Sequence, residues 1–307
     1  MIKVWLEAEE VRAGLDPDGL RAAMARVLED LYRGRAHAPA RIAVTAPEGL
    51  LAAMPGYADG MVGAKLVSVY AGNPARGLPG HQALLALFDA ATGTPVAIMD
   101  GTALTAARTA AVTAVATDAL ARSGARVLAI LGTGVQAEAH GAAVQRVRKF
   151  GEIRVAGRNR ARAAELAAAW GGRAAESFEG AIRGADVICA CTHAAEPIVQ
   201  RAWLAPGAHV NSVGIGGCEL DAATIAAGLL TVESKGAFAP FPAGAYELQG
   251  VDAARGVEIG AILAGEHPGR SGDDQITVFK SVGHAVEDVA AGAWFYRRMV
   301  DDRMTGR

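Results

Sequence analysis

The sequence predicts an α/β chain in two parts, an N-terminal α+β domain followed by a doubly wound domain built on a parallel sheet. Three observations predict it. The first third carries strand-like runs joined by turn signals, without an alternation of strands and helices. From Val127 onward short apolar runs alternate with Ala-rich helical stretches, the pattern of a parallel sheet covered on both faces. At the junction lies "LAILGTGVQAEAHG", Leu128 to Gly141, an apolar run that enters Gly-x-Gly-x-x-Ala and then a helix-compatible segment. With 307 residues, 51% of them hydrophobic, the chain has enough material for two cores.

The elements follow in order. "VWLEAEEV" is a short strand. Asp16 is the N-cap of a helix, Pro17 stands in its first turn, and Leu20, Met24, Val27 and Leu31 share one face. Gly34 ends it. "ARIAVTAP", "GLLAAMPGY" and "MVGAKLVSVYAG" read as strands, and "ALLALFDAATGTPVAIMDG" as a hairpin turning at "DAATGT", so this sheet is expected to be antiparallel. "TALTAARTAAVTAVATDALARSG" has no Gly or Pro before Gly124 and predicts a long helix. Beyond it "EIRVAGRN", "ADVICACTH", "GAHVNSVGIG" and "LLTVES" are strands, the third-from-last a long one, and "ARAAELAAAWGG" is a helix. The end, "DDQITVFKSVGHAVEDVAAGAWFYRRMVDD", is a strand, a glycine turn and an amphipathic helix.

Composition removes several function classes. A net charge near −2 and no Lys/Arg run argue against a nucleic-acid partner. Cys189, Cys191 and Cys218 are too few and too badly spaced for a disulfide framework or a four-ligand zinc site. No window approaches the ~18 unbroken apolar residues of a membrane span, and "MIKVWLEAEEVRAGL" is acidic where a signal peptide is apolar. No membrane partner and a cytoplasmic location are the expectation.

The glycine turn alone is a weak signal, since a Gly- and Ala-rich chain produces it by chance. Its context strengthens it. Gly132 would make the tight turn, Gly134 would let backbone approach a pyrophosphate, Ala137 replaces the third glycine, and the helix beyond offers unpaired N–H groups. Thr133 completes the turn. Dinucleotide enzymes specific for NAD place an acid at the end of the second strand, ~20 residues on. Here "VAGRNR" puts Gly157 there, followed by Arg158 and Asn159. No carboxylate repels a 2′-phosphate and Arg158 could pair with one; the plain alternative is an arginine in a solvated loop. NADPH is therefore the expected cofactor, with NADH possible.

Three cations stand in apolar surroundings: Arg41 in "APARIAV", Lys65 in "MVGAKLVSVY" and Arg108 in "LTAARTAAV", the last in or near the first turn of its helix. A buried cation requires an anion. That anion is either a carboxylate of the fold or one brought by a substrate. His81, opening a strand in "GLPGHQALL", is either a proton donor or an ordinary hydrogen-bonding residue.

Taken together, "VGAKLVSVYAGNP", "GLPGHQALLALFDAATGTPVAIMDGTALTAARTAAVTAVATDALAR", "LGTGVQAEAH" and "ITVFKSVGHAVEDVAAG" resemble, in order and over nearly the whole chain, the ornithine cyclodeaminase/μ-crystallin family. The resemblance implies a substrate-binding and dimerisation domain over 1–115, completed by about 285–307 as the C-terminal helix returns to it, and a Rossmann domain over 116–284. It implies a homodimer whose first-domain sheets pack together. It makes Arg41, Lys65, Arg108 and His81 substrate-site residues, with the arginines on the α-carboxylate and Lys65 and Arg108 as the catalytic pair. Val135 and Gln136 fall at the pyrophosphate turn, Thr192 at a strand end facing the cofactor, and Val282 and Gly283 beside the nicotinamide.

Departures from the family pattern discriminate among its activities. Cyclodeaminases carry an acidic residue where this chain has Ala52, and a catalytic Asp in a loop that here reads "VGIGGCELD" and is shorter. Glu219 and Asp221 match positions that begin the next helix. The expected activity is NAD(P)H-dependent reduction of small, cyclic imino acids such as Δ1-pyrroline-2-carboxylate. The alternatives are an ornithine cyclodeaminase-type lyase, an alanine-dehydrogenase-like enzyme, and a μ-crystallin-like NADPH-binding protein.

Overall fold

The computed structural model describes residues 4–305; the outermost ends of the expected first domain, 1–3 and 306–307, lie outside the described residues. In chain order the elements are β1 (Val4–Leu6), α1 (Ala8–Gly14), α2 (Pro17–Tyr32), β2 (Ile42–Ala46), β3 (Gly49–Ala58), β4 (Met61–Val69), β5 (His81–Asp89), β6 (Pro95–Asp100) and α3 (Gly101–Leu120). There follow β7 (Val127–Leu131), α4 (Val135–Val144), β8 (Glu152–Ala156), α5 (Arg160–Ala169), β9 (Arg173–Ala174), α6 (Phe178–Ile182), β10 (Val187–Ala190) and β11 (His209–Ser212). The chain closes with α7 (Ala222–Ala227), β12 (Leu229–Val232), β13 (Val257–Glu258), α8 (Ile259–Leu263), β14 (Thr277–Lys280) and α9 (Ala285–Thr305). It divides into two compact units, Met1–Arg108 with His284–Arg307, and Thr109–Gly283.

The first unit is a six-stranded sheet in the order β1-β6-β5-β4-β3-β2. Four of its pairings are antiparallel, but β1 runs parallel to β6, so the sheet is mixed where the sequence suggested an antiparallel one. A parallel neighbour needs a long connection, and the helices and strands between β1 and β6 supply it. Period-2 alternation sorts the sheet into two faces. On the inner face Met54, Lys65, Leu85, Met99 and Leu6 are cross-strand partners in one row, all buried. Helix α9 lies close over this face: a Cβ on Gly292 would come within 2.5 Å of Leu85. Helix α2 begins as expected, with the Asp16 carboxylate accepting from the N–H groups of Asp18 and Gly19. The outer face exposes Trp5, Ile42, Val44, Val62, Leu66 and Leu84, an apolar surface that a monomer seldom leaves in water.

The second unit is an eight-stranded sheet, β13-β12-β14-β11-β10-β7-β8-β9, parallel throughout. Apolar clusters cover its two faces, as a parallel sheet requires. Strand order reverses direction at β7 and β10, whose carboxyl ends mark the position where open α/β sheets take ligands. The strand expected from "ADVICACTH" is shorter than its apolar run: β10 stops at Ala190. The reason lies beyond it, where the Cys191 carbonyl packs on Gly132 and Thr192 turns to a buried carboxylate. Cys189 and Cys191 are buried, and burial pushes the Cys189 thiol up to about 12. His209 is fully buried between Thr277 Oγ1 and Asn211 Oδ1; burial lowers it to about 3, so it stays neutral.

Candidate functional site

In the first unit the chemistry gathers on the inner face. Lys65, on β4, is flanked across the sheet by Met54 and Leu85, so its own sheet offers no counter-charge. The anions come from the first turn of α9, where the helix dipole favours negative charge. Asp288 places Oδ2 2.7 Å from Lys65 Nζ and Oδ1 2.8 Å from Arg108 Nε. Glu287 Oε2 lies 2.9 Å from Arg108 NH1. All four side chains are at most 5% exposed. Burial pushes Lys65 down to about 8, against the pull of Asp288 and helped by the positive fields of Arg108 and Arg41. Burial alone would raise the Asp288 carboxyl, but Arg108 and Lys65 outweigh it and hold it below the ordinary carboxylate value.

One expectation is corrected here. Arg108 is not in the first turn of its helix, because α3 starts at Gly101, with the Asp100 carboxylate accepting from the Ala103 N–H at 2.7 Å. Its anions are therefore carboxylates of α9. Arg41 is half-buried and acts on Lys65 through its charge. His81 is exposed at the start of β5, paired with Val69, while Lys65 pairs with Leu85 further along the same strands. Ala52 is buried on the Lys65 face, beside Met54. Sequence reasoning passed over Glu287 and Asp288. Their signal was present: two adjacent acids in the otherwise apolar "HAVEDVAAGAWF" need cations for the same reason that Lys65 and Arg108 need anions.

In the second unit β7 runs into the glycine turn. Gly132 has φ +121°, and a Cβ there would stand 2.5 Å from the Cys191 carbonyl oxygen. Gly134 caps α4 with no side-chain hydrogen bond, and a Cβ on it would meet nothing within 4 Å. The turn is thus tight beneath and open above, the shape a pyrophosphate needs at a helix N-terminus. Thr133 stands between the two glycines, and Val135 and Gln136 begin α4, with Val135 largely exposed. Ala137 is fully buried, as the third-glycine position demands. His140, in the same helix, is fully buried between the Gln136 carbonyl at 2.7 Å and Thr113 Oγ1 at 3.0 Å. At the end of β8 a Cβ on Gly157 would meet Thr133 Cγ2 at 2.6 Å, so this place is closed to a carboxylate-bearing side chain while Thr133 keeps its rotamer. Arg158 is exposed, and Asn159 uses its Oδ1 to cap α5 through the Arg162 N–H.

A buried ionic network ties the strand ends. Glu219 is fully buried and accepts from Thr192 N at 2.6 Å, Thr192 Oγ1 at 2.9 Å, Ser212 Oγ at 2.8 Å, Val213 N at 3.0 Å and Gly214 N at 2.8 Å. It does not begin the next helix; Asp221 does, capping α7 through the Thr224 N–H. Glu247 accepts from the N–H groups of Glu219 and Leu220 and pairs with Lys280 at 2.6 Å. Glu233, just past β12, accepts from Ser281 Oγ at 2.5 Å and from the N–H groups of Val282 and Gly283 at 3.1 Å. It fixes the segment for which the family resemblance implies a place beside a nicotinamide. Glu233 and Glu247 did not stand out in the sequence, and Glu219 did so only as a residue at the start of the next helix. Among the described residues no group of three or more His, Cys, Asp or Glu side chains could hold a metal ion, and no helix is long and apolar enough to cross a membrane.

A mixed sheet carrying buried cations and a doubly wound unit with an open glycine turn are the two halves of a dinucleotide-linked enzyme architecture. The chain belongs to the ornithine cyclodeaminase/mu-crystallin family, whose model matches residues 3–303. It is 38% identical over 306 residues to the ketimine reductase mu-crystallin of Mus musculus, covering 95% of this chain and 96% of that protein. Its fold is similar to that of Thermococcus litoralis Δ1-pyrroline-2-carboxylate reductase, solved in complex with NADH and L-proline (TM-score 0.90, 31% identity, 98% of each chain). It is also similar to a dimeric archaeal alanine dehydrogenase with bound NAD (TM-score 0.90, 29% identity, 99% of this chain and 98% of that one).

Proposed function

We propose that this protein is an NAD(P)H-dependent reductase of small imino acids, cyclic ketimines foremost, that prefers NADPH. The observation that carries the choice of reductase is the state of Glu219. It is the first carboxylate after the β11 loop, and both its oxygens are taken up by neighbouring donors. A lyase that oxidises an amine, expels ammonia and reduces the product again needs a carboxylate able to move protons in both directions. Ala52 removes a second candidate. Reduction of a preformed imine tolerates both losses, because the iminium brings its own proton.

The residues present fit a nicotinamide dinucleotide. Gly132, Thr133, Gly134, Val135 and Gln136 offer the turn and the helix N-terminus for its pyrophosphate, and the space above Gly134 is what a Cβ would otherwise fill. Thr192, Val282 and Gly283 are held in place at strand ends by Glu219 and Glu233. When bound, the cofactor supplies the hydride. Lys65 and Arg108, with Arg41, hold the substrate carboxylate, and Lys65 donates towards the imine end. Orientation of this kind accounts for several kcal/mol of barrier. The exposed apolar face of the first unit is the proposed homodimer surface.

The test is a pair of assays. NADPH is consumed with Δ1-pyrroline-2-carboxylate or Δ1-piperideine-2-carboxylate, and L-ornithine with catalytic NAD releases no ammonia. Proline and stoichiometric ammonia from ornithine would replace the reductase by a lyase. Silence in both assays would favour a nucleotide-binding protein or an acyclic substrate.

Cofactor preference has its own check. With glycine at 157, where an NAD enzyme would carry an acid, and Arg158 exposed beside it, kcat/KM is higher with NADPH than with NADH. Arg158→Ala narrows the gap by weakening NADPH alone, by about tenfold for one charge-assisted phosphate contact. Wild-type enzyme that uses NADH equally well would return Arg158 to the status of a loop residue.

A further inference from the structure

The buried cations do not wait for a substrate to be neutralised. Each touches Asp288, Lys65 through Oδ2 and Arg108 through Oδ1, so one carboxylate spans the pair. Lys65 faces neutral residues within its sheet and charged ones beyond it. Met54 on β3 and Leu85 on β5 are neutral. Arg108 on α3 and Arg41 before β2 are positive. Asp288 on α9 is the anion that touches it, and Glu287, the residue before it, pairs with Arg108.

We propose that Asp288 is the positioning residue of this site: its carboxylate fixes the Lys65 ammonium and the Arg108 guanidinium relative to one another and keeps Lys65 protonated at neutral pH. The inference rests on the proposed reductase reading for its kinetic consequence, though not for its electrostatics. Three influences work against a charged Lys65: burial, Arg108 and Arg41. One opposes them at contact distance. Remove the negative charge of Asp288 and the other three remain.

The sign follows directly. Burial brings Lys65 down from its ordinary value to about 8. Below that pH the ammonium is present and holds a carboxylate; above it the charge is lost, so kcat/KM falls by about tenfold per pH unit. Asp288→Asn keeps the shape and deletes the charge, and moves this alkaline limb to lower pH by at least about one unit. The variant is impaired at neutral pH and recovers towards wild type as the pH is lowered. A side chain that only packed would depress activity equally at every pH. Asp288→Glu restores the limb.

The titration can be read without turnover. The chain has five lysines, Lys3, Lys65, Lys149, Lys235 and Lys280. Biosynthetic labelling with lysine carrying carbon-13 at Cε, followed by NMR across pH 6–11, gives each its own midpoint; the Lys65 signal is the one lost in Lys65→Arg. The expected midpoint drops in Asp288→Asn. In Arg108→Gln it rises, because a competing cation is gone and Asp288 serves Lys65 alone. A midpoint in Asp288→Asn at or above the wild-type value overturns the proposal. Should that variant not fold, a midpoint in Arg108→Gln that fails to rise overturns it instead. If the midpoints move as expected while no imine is turned over, the reductase reading fails and the role of Asp288 stands; active enzyme with unmoved midpoints is the reverse.

Discussion

Arg108→Ala lowers kcat/KM for an accepted imine by at least ~100-fold, the effect of losing one charge-assisted pair, about 3 kcal/mol, in a desolvated site. The same change lowers folding stability by about 3–5 kcal/mol, because it strands buried carboxylates. Both effects come from the same arrangement: Arg108 NH1 and Nε hold Glu287 and Asp288, and all three side chains are buried. Arg108→Lys separates them. A lysine restores the charge and part of the stability, but lacks the planar fork that meets two carboxylates and a substrate at once, so activity stays low. The measurements are urea unfolding and steady-state kinetics well below the melting point of each variant. Wild-type kinetics in Arg108→Ala would place the carboxylate clamp elsewhere in the chain.

The contrast between what was legible in the sequence and what was not follows contact range. The hairpin of β5 and β6, the capped start of α2 and the glycine turn after β7 are written in a few adjacent residues, and each stands where local chemistry put it. Lys65 and Arg108 were conspicuous because a charge in an apolar run is locally anomalous. Their partners were not, since Arg108 and Asp288 are 180 positions apart. The sequence left two origins open for the counter-charge, the fold and the substrate. The fold supplies carboxylates from α9.

The same limit hid the strand-end network. Glu219 falls with Asp221 at the start of a helix because both match family positions there. Only the return of the chain past β10 and β11 brings Thr192, Ser212 and Gly214 around its carboxylate. Glu233 reads as the polar end of a strand until the segment after β14 lays three donors on it. The end of β10 was misjudged for a related reason. "ADVICACTH" stays apolar through Cys191, but extended pairing stops where Cys191 serves the glycine turn and Thr192 serves Glu219. β9, β13 and α6 to α8, of two to six residues each, carry too little of a hydrophobic period to stand out from the turns around them.

Gly132→Ala and Gly134→Ala both weaken nucleotide binding, but only the first destabilises the protein. Position 132 combines φ +121°, which residues with a Cβ rarely adopt, with a backbone oxygen 2.5 Å from where the methyl would go. Backbone cannot swing aside as a side chain can, so the turn must shift, at a cost of at least ~3 kcal/mol. Shifting it also moves Cys191 and the start of α4, and the nucleotide dissociation constant rises at least ~100-fold, the equivalent of about 3 kcal/mol. Position 134 is different. Its φ of −86° suits any residue, and a methyl there meets no protein atom within 4 Å. Stability therefore stays within about 1 kcal/mol of wild type, the usual range for exchanging a helix cap. The methyl does, however, enter the space through which a pyrophosphate approaches the α4 N–H groups, and the dissociation constant rises by about tenfold or more. Fluorescence titration with NADPH and thermal melts of the two variants check both halves. Gly134→Ala binding NADPH as tightly as wild type would mean that the phosphates do not lie over this turn.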